Sequence, residues 1–175
     1  MVFSTLTFVY LFFPVTVMLY FVMPSIRLKN AVLLLVSLVF YAWGEPIFVV
    51  LMLFTAFVNY ICGRAIVSTD SKTNKKFYLV LSLAANLGLL GLFKYAGFII
   101  DNVNWLLALN LPGWKLGLPI GISFYTFQAM TYSIDVYRGE TPVQKSYLKL
   151  LLYVSMFPQL IAGPIVRYSD VCKEI

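Results

Sequence analysis

Gly121, Tyr125, Gln128, Tyr132 and Asp135 are separated by 4, 3, 4 and 3 residues, the spacing that places side chains on one face of an α-helix. A small residue, two phenols, an amide and a carboxylate then make one continuous polar seam. Two uses fit it. The seam can hydrogen-bond to neighbouring helices and hold a bundle together, or it can form the wall of a hydrated tunnel. Periodicity alone leaves both open. The surroundings sharpen the question, because Leu116 to Ile134 carries no charge and is long enough to cross a bilayer, which takes about 20 mostly apolar residues.

Other chemistry is scarce. The chain has no histidine, so no imidazole can serve as a general base, and Asp135 at the far end of its helix is poorly placed to substitute. Cys62 and Cys172 fit no metal or redox spacing and read as idle thiols. No metal-ligand cluster, P-loop, dinucleotide glycine pattern or nucleophile elbow occurs. No bound cofactor is expected on these grounds.

The elements that must position the seam follow from composition. With 61% hydrophobic and only 11% charged residues among 175, a soluble domain of this length would lack the polar cover that its surface requires. The sequence predicts an all-α, polytopic membrane protein forming one domain over residues 1–175. Thr5 to Met23 is the first uncharged segment, without the basic n-region or cleavage motif of a signal peptide, and reads as a retained span. Ala31 to Trp43 is a second, rather short one, and Ile47 to Cys62 a third. Gly63 to Lys76 reads as a polar loop, and Phe77 to Phe93 as a fourth span that can continue to Ile100. Asp101 to Gly117 is mixed and reads as interfacial, and Leu116 to Ile134 is the fifth span. Asn59 and Asn86, intramembrane amides, read as helix–helix glue.

Leu150 to Val166, a sixth apolar segment, contains Pro158, Gly163 and Pro164, which break a straight helix. Lys149 precedes it, and Arg167 and Lys173 follow. Basic residues at both ends suggest a re-entrant or kinked element. Non-helical backbone at membrane depth survives only buried in protein or lining a cavity. The basic loops set orientation: with the N-terminus outside, nine of them (Arg27, Lys29, Arg64, Lys72, Lys75, Lys76, Arg138, Lys145 and Lys149) face the cytoplasm. These charges are accounted for by topology, so no nucleic-acid partner is implied.

Longer motifs carry a resemblance. LPIGISFYTFQAMTYSIDVYRGE (Leu118 to Glu140) and FPQLIAGPIVRYSD (Phe157 to Asp170) resemble the membrane-bound O-acyltransferase family, in its bacterial alginate O-acetylation branch. So do FYAWGEP (Phe40 to Pro46) and LFKYAGF (Leu92 to Phe98). The resemblance implies a multi-pass protein of the bacterial cytoplasmic membrane that passes an acyl group, from a cytoplasmic thioester donor, through a tunnel to hydroxyls of an exported polysaccharide such as alginate. Polysaccharide-modifying proteins outside the membrane are the implied partners, beside the lipid bilayer itself. Gly121, Tyr125, Gln128, Tyr132 and Asp135 would line the tunnel. Arg138, Pro158, Gln159, Gly163, Pro164 and Arg167 would shape its cytoplasmic mouth. The family's catalytic histidine lies later in a longer chain, so this sequence looks like an N-terminal portion without its own base and inactive alone. Transfer of D-alanine to teichoic acids is the alternative within the family. A non-enzymatic subunit docking partner helices is a second class. A secondary transporter ranks last, since no internal repeat is evident.

Overall fold

The computed structural model describes residues 5–107, 112, 117–160, 166–172 and 174. Among them the regular structure is entirely helical: α1 (Phe8–Val22), α2 (Ile26–Gly44), α3 (Val49–Ser68), α4 (Lys72–Leu107), α5 (Ile122–Arg138), α6 (Tyr147–Ser155), α7 (Phe157–Leu160) and α8 (Tyr168–Val171). The first turns of α1, Phe8–Phe12, are wound more widely, with Phe13 N–H donating to the Phe8 carbonyl. That register suits Pro14, which lacks a donor and whose ring crowds the carbonyl four residues back. Ser25 starts α2 by accepting from Leu28 N–H at 3.4 Å, an N-cap bond that satisfies a donor the helix cannot.

Among the described residues three helices, α2, α3 and α4, are long and apolar enough to cross a membrane. α3 shows why the solvent must be lipid. Its outward stripe is Val50, Phe54, Phe57 and Ile61, whereas its buried stripe includes Thr55 and Asn59. A water-soluble helix has the reverse arrangement. Exposed apolar side chains and buried polar ones are what a bilayer selects.

α3 is central, packing against α4, α5 and α6, and α4 also packs against α5. α2 packs against α6, α7 and α1. Phe8, Phe12, Phe40 and Phe157 join α1, α2 and α7 in an aromatic cluster, with Phe12 and Phe157 edge-on at 5.6 Å.

Several sequence expectations change. Gly63 to Lys76 is mostly helix: α3 runs to Ser68 and α4 starts at Lys72, leaving a three-residue turn. Arg64 keeps its place on α3 by donating to Tyr60 Oη at 3.0 Å. The supposedly short second span is 19 residues, because the helix starts at Ile26 and takes in Arg27 and Lys29 near its beginning. The first part of Asp101 to Gly117 is helical, because α4 continues to Leu107 over 36 residues; most of the rest lies outside the described residues. At 1.5 Å per residue α4 is about 54 Å long, well beyond a hydrocarbon core of about 30 Å. Its polar ends, Lys72 to Lys76 and Asp101 to Asn104, therefore extend past the bilayer's apolar layer. The helix in the segment expected as the fifth span lies further toward the C-terminus, at Ile122–Arg138, because Pro119 forms the turn that precedes it, its carbonyl accepting from Ile122 N–H at 3.2 Å.

The re-entrant reading of the sixth segment gains support from four contacts. Gln128 donates to the Tyr153 carbonyl, and Leu160 lies beside Gly121, so α6 and α7 climb along α5 toward its N-terminal end. The chain then returns: Tyr153 Oη donates to the Val166 carbonyl at 2.8 Å, and Gln144 Nε2 donates to Tyr168 Oη at 2.6 Å. Tyr168 thus sits beside the residues that precede α6. Entry and exit share one end of the bundle.

The orientation can be checked at the α3–α4 turn. Ser71 is exposed there. A Ser71→Cys variant with Cys172 replaced by serine is expected to resist impermeant thiol reagents on intact cells and to label after permeabilisation. Ready labelling of intact cells would reverse the assignment.

Candidate functional site

The seam begins where the backbone needs glycine. Gly121 has φ +76°, a left-handed conformation that costs other residues energy. A Cβ there would also lie 3.0 Å from the Leu160 carbonyl oxygen. Gly121 is therefore the N-cap of α5 and the seat of α7, not a member of the helical face. Tyr125, Gln128, Tyr132 and Asp135 do share that face, and all four are buried.

Gln128 repairs a break. In an uninterrupted helix Phe157 N–H would donate to the Tyr153 carbonyl. The chain turns at Met156 (φ −54°, ψ 111°), and Phe157 N–H donates instead to Ser37 Oγ on α2 at 3.3 Å. Pro158 supplies no donor for the next carbonyl. Gln128 Nε2 takes over the abandoned Tyr153 carbonyl at 2.9 Å and also donates to Gln159 Oε1 at 3.0 Å. Buried backbone carbonyls require such partners. One side chain from α5 and one from α2 therefore hold the break open in a fixed shape.

Tyr132 is held from three sides. Its hydroxyl accepts from Gln144 N–H at 3.0 Å, its ring meets Tyr168 edge-on at 5.0 Å, and Gly63 gives it room on α3, where a Cβ would come within 3.1 Å of the ring. Gln144 joins these parts: its side-chain oxygen accepts from Ser146 N–H at 3.0 Å while its amide reaches Tyr168. Asp135, 6% exposed, lies among Glu140, Arg167, Arg138 and Asp170. Arg138 and Arg167 are exposed, and Arg138 pairs with Glu140 at 3.8 Å, a surface contact of small energetic value.

Tyr125 differs from its neighbours on the seam. Its ring meets that of Tyr41 on α2 at 6.3 Å and 89°, and the two buried hydroxyls interact with each other but make no hydrogen bond of good geometry among the described residues. Buried hydroxyls are ordinarily satisfied by protein or by ordered water, so this pair marks a place able to bind a further polar group.

Of the residues predicted for the mouth, Arg138 and Arg167 share the charged end around Asp135. Pro158 and Gln159 do not join them. Gln159 is bonded to Gln128, ten residues or about 15 Å up the helix from Arg138, so it stands at mid-depth. Gly163 and Pro164 lie outside the described residues.

The other buried face of α5 carries a network that sequence reading only half identified. Asn59 Oδ1 accepts from Ser82 Oγ and Ser133 Oγ, both at 2.7 Å, and from Asn86 Nδ2 at 3.2 Å. The glue role expected of Asn59 and Asn86 is what the geometry shows. Ser82 and Ser133 were missed, as were Gln144, Ser37 and Tyr41. Thr55–Asn59 and Ser82–Asn86 each repeat at i, i+4 on apolar helices, a signal that could have found Ser82. Nothing local marks Gln144.

Comparison with known proteins now bears on this arrangement. A probable alginate O-acetylase of Pseudomonas aeruginosa is 40% identical to the chain, over 99% of it and 34% of that protein. This chain is similar to alginate O-acetylases over nearly its whole length. One from Azotobacter vinelandii is 39% identical, with 99% of the chain and 36% of that protein covered. A peptidoglycan O-acetyltransferase of Helicobacter pylori is 32% identical, with 99% of the chain and 38% of that protein covered. The chain thus spans about a third of the length of these homologues. No protein-family profile matches it, and no solved structure matches it significantly. The four motifs behind the resemblance all lie within the stretch shared with the alginate O-acetylases.

Proposed function

We propose that this chain is the N-terminal portion of a membrane O-acyltransferase that acetylates hydroxyls of an exported polysaccharide. The observation that carries the reading is the similarity to alginate O-acetylases across nearly the whole chain. The geometry adds physical support. A broken element enters and leaves at one end of the bundle and packs beside a polar helix face, near two buried phenols that face each other and make no hydrogen bond of good geometry among the described residues.

In this reading the acyl group comes from a cytoplasmic thioester, and Arg138 and Arg167 lie where an anionic donor would approach. Tyr41 and Tyr125, nearer the outer end, are placed to hydrogen-bond a hydroxyl or carbonyl on the transfer path. Gln128, Tyr132 and Gly121 keep α6 and α7 in position beside α5. The proton acceptor for the attacking hydroxyl must come from elsewhere in the protein, because this chain contains no histidine.

Deleting the gene that encodes the chain is expected to abolish O-acetylation of the exported polysaccharide, measured as ester-bound acetate. The full-length gene should restore it, whereas the 175-residue chain alone should not. Unchanged acetate after deletion would remove the proposal. Restoration by the chain alone would show that no further part is required.

A further inference from the structure

The lipid-facing stripe of α3 changes character at the end of the bundle that the basic residues assign to the cytoplasm. Arg64 follows Ile61 by three residues on that face, and with Val67 and Ser68 it borders a pocket of about 400 Å³. The opposite wall is the stretch before α6, which contributes Val143 and Lys145. That volume lies in the range of roughly 300–1,000 Å³ in which small ligands bind. Tyr60 ties the two walls together. Its ring meets Tyr147 edge-on at 5.9 Å, and its hydroxyl donates to the Lys145 carbonyl at 3.1 Å while accepting from Arg64 Nη1 at 3.0 Å. The guanidinium is thus oriented by a neutral partner, which occupies one N–H and leaves its charge and its other donors. Lys145 is exposed. Neither cation has a carboxylate at ion-pair distance among the described residues, and none lines the pocket. Asp70, on the α3–α4 turn, is outnumbered there by Lys72, Lys75 and Lys76.

We propose that this pocket holds the phosphate of one anionic phospholipid between Arg64 and Lys145, with an acyl chain running over Ile61 and Phe57. The charge pattern selects a phosphate. Two cations fixed at one opening through a shared tyrosine repel each other, and an anion between them removes that repulsion. A guanidinium fork matches phosphate oxygens in a bidentate geometry, and the lysine adds a second positive charge. The position selects a lipid as its source. Ile61 and Phe57, one and two turns below Arg64, are exposed apolar side chains, so the pocket opens on the face that meets hydrocarbon. Basic pockets between transmembrane helices at the cytoplasmic face bind anionic head groups. A zwitterionic head group would bring its own cation toward the two already there.

The test uses the full-length protein in nanodiscs of equal parts phosphatidylglycerol and phosphatidylcholine, with the lipids retained on gentle extraction counted by native mass spectrometry. Selective retention of phosphatidylglycerol is expected. Arg64→Gln and Lys145→Gln should each weaken it roughly fivefold, and the double variant should retain one molecule fewer. Arg64→Lys keeps the charge but not the fork and should fall between wild type and Arg64→Gln. Lys72→Gln combined with Lys76→Gln removes as much charge from the same side, yet neither residue lines the pocket, so the count should stay unchanged. Circular dichroism confirms that each variant is folded. Equal retention of the two lipids, undiminished retention in the Arg64/Lys145 double variant, or an equal loss in the Lys72/Lys76 variant would overturn the proposal. Pyrophosphate binding in phosphatidylcholine alone, without selectivity for phosphatidylglycerol, would assign the pocket to a soluble phosphate and overturn the lipid as its occupant. Lipid counting does not depend on acyl transfer, so its outcome is separable from the functional reading.

Discussion

Asn59→Leu is expected to lower the stability of the helical bundle by about 2–5 kcal/mol, read as an earlier melting transition of purified protein in detergent. The side chain is 0% exposed where α3, α4 and α5 meet. It accepts three hydrogen bonds and donates to the Thr55 carbonyl at 2.8 Å and to Asn86 Oδ1 at 3.1 Å. Leucine has the same branch point but can make none of these contacts. Interhelical hydrogen bonds in membranes average only ~0.6 kcal/mol and reach about 1.7, because partners can re-pair. Here Ser82 Oγ can turn to Ser133 Oγ, 3.1 Å away, and Asn86 Nδ2 keeps the Ser82 carbonyl at 2.7 Å. The polar loss is therefore about 1–2 kcal/mol. Replacing the amide oxygen and nitrogen with two bulkier methyl groups in a filled site adds roughly 1–3 kcal/mol. Ile61→Leu, on the lipid-facing stripe of the same helix, supplies the comparison and should leave the melt unchanged. A wild-type melt for Asn59→Leu would show that the three helices are held by something other than this network.

The same residues show what could be read without coordinates. Helical class and the apolar spans follow from long uncharged runs, and Asn59 and Asn86 stand out because an amide amid apolar neighbours needs a partner. The face shared by Tyr125, Gln128, Tyr132 and Asp135 follows from period alone. Helix ends were less legible, because in lipid a terminus can carry Arg64 or Lys76 on the helix itself and let the side chain reach water. Gly121 matched the helical period by coincidence; its role is set by the Leu160 carbonyl, 39 residues away. The diversion of Phe157 N–H to Ser37 spans 120 residues. No local pattern contains such a bond, so the partner that Gln128 serves was invisible although Gln128 itself was not.

Gln128→Leu should separate activity from stability. Loss of its two hydrogen bonds is expected to destabilise the protein by at most about 2 kcal/mol, since α6 remains packed against α2 and α3. The effect on acyl transfer by the full-length protein should be far larger, on the order of 10²-fold, as for displacements of about 1 Å near a reacting centre. The reason is local. Without the amide, the Tyr153 carbonyl loses its donor and Gln159 its anchor, and the chain near Met156 can move to recover Phe157 N–H from Ser37. Such a movement would shift α7 against Gly121 and alter the wall beside Tyr125 without unfolding α5. Tyr132→Phe is a milder probe: it removes the acceptor for Gln144 N–H and keeps the ring against Tyr168. Ile134→Leu, half-buried on another face of α5, should change neither property. The measurement is acetyl transfer per folded molecule, with folded fraction taken from the melt of each preparation. If Gln128 only joins helices, its activity loss will match its small stability loss. Equal specific activity for Gln128→Leu and Ile134→Leu would end the assignment of this helix face to the transfer path.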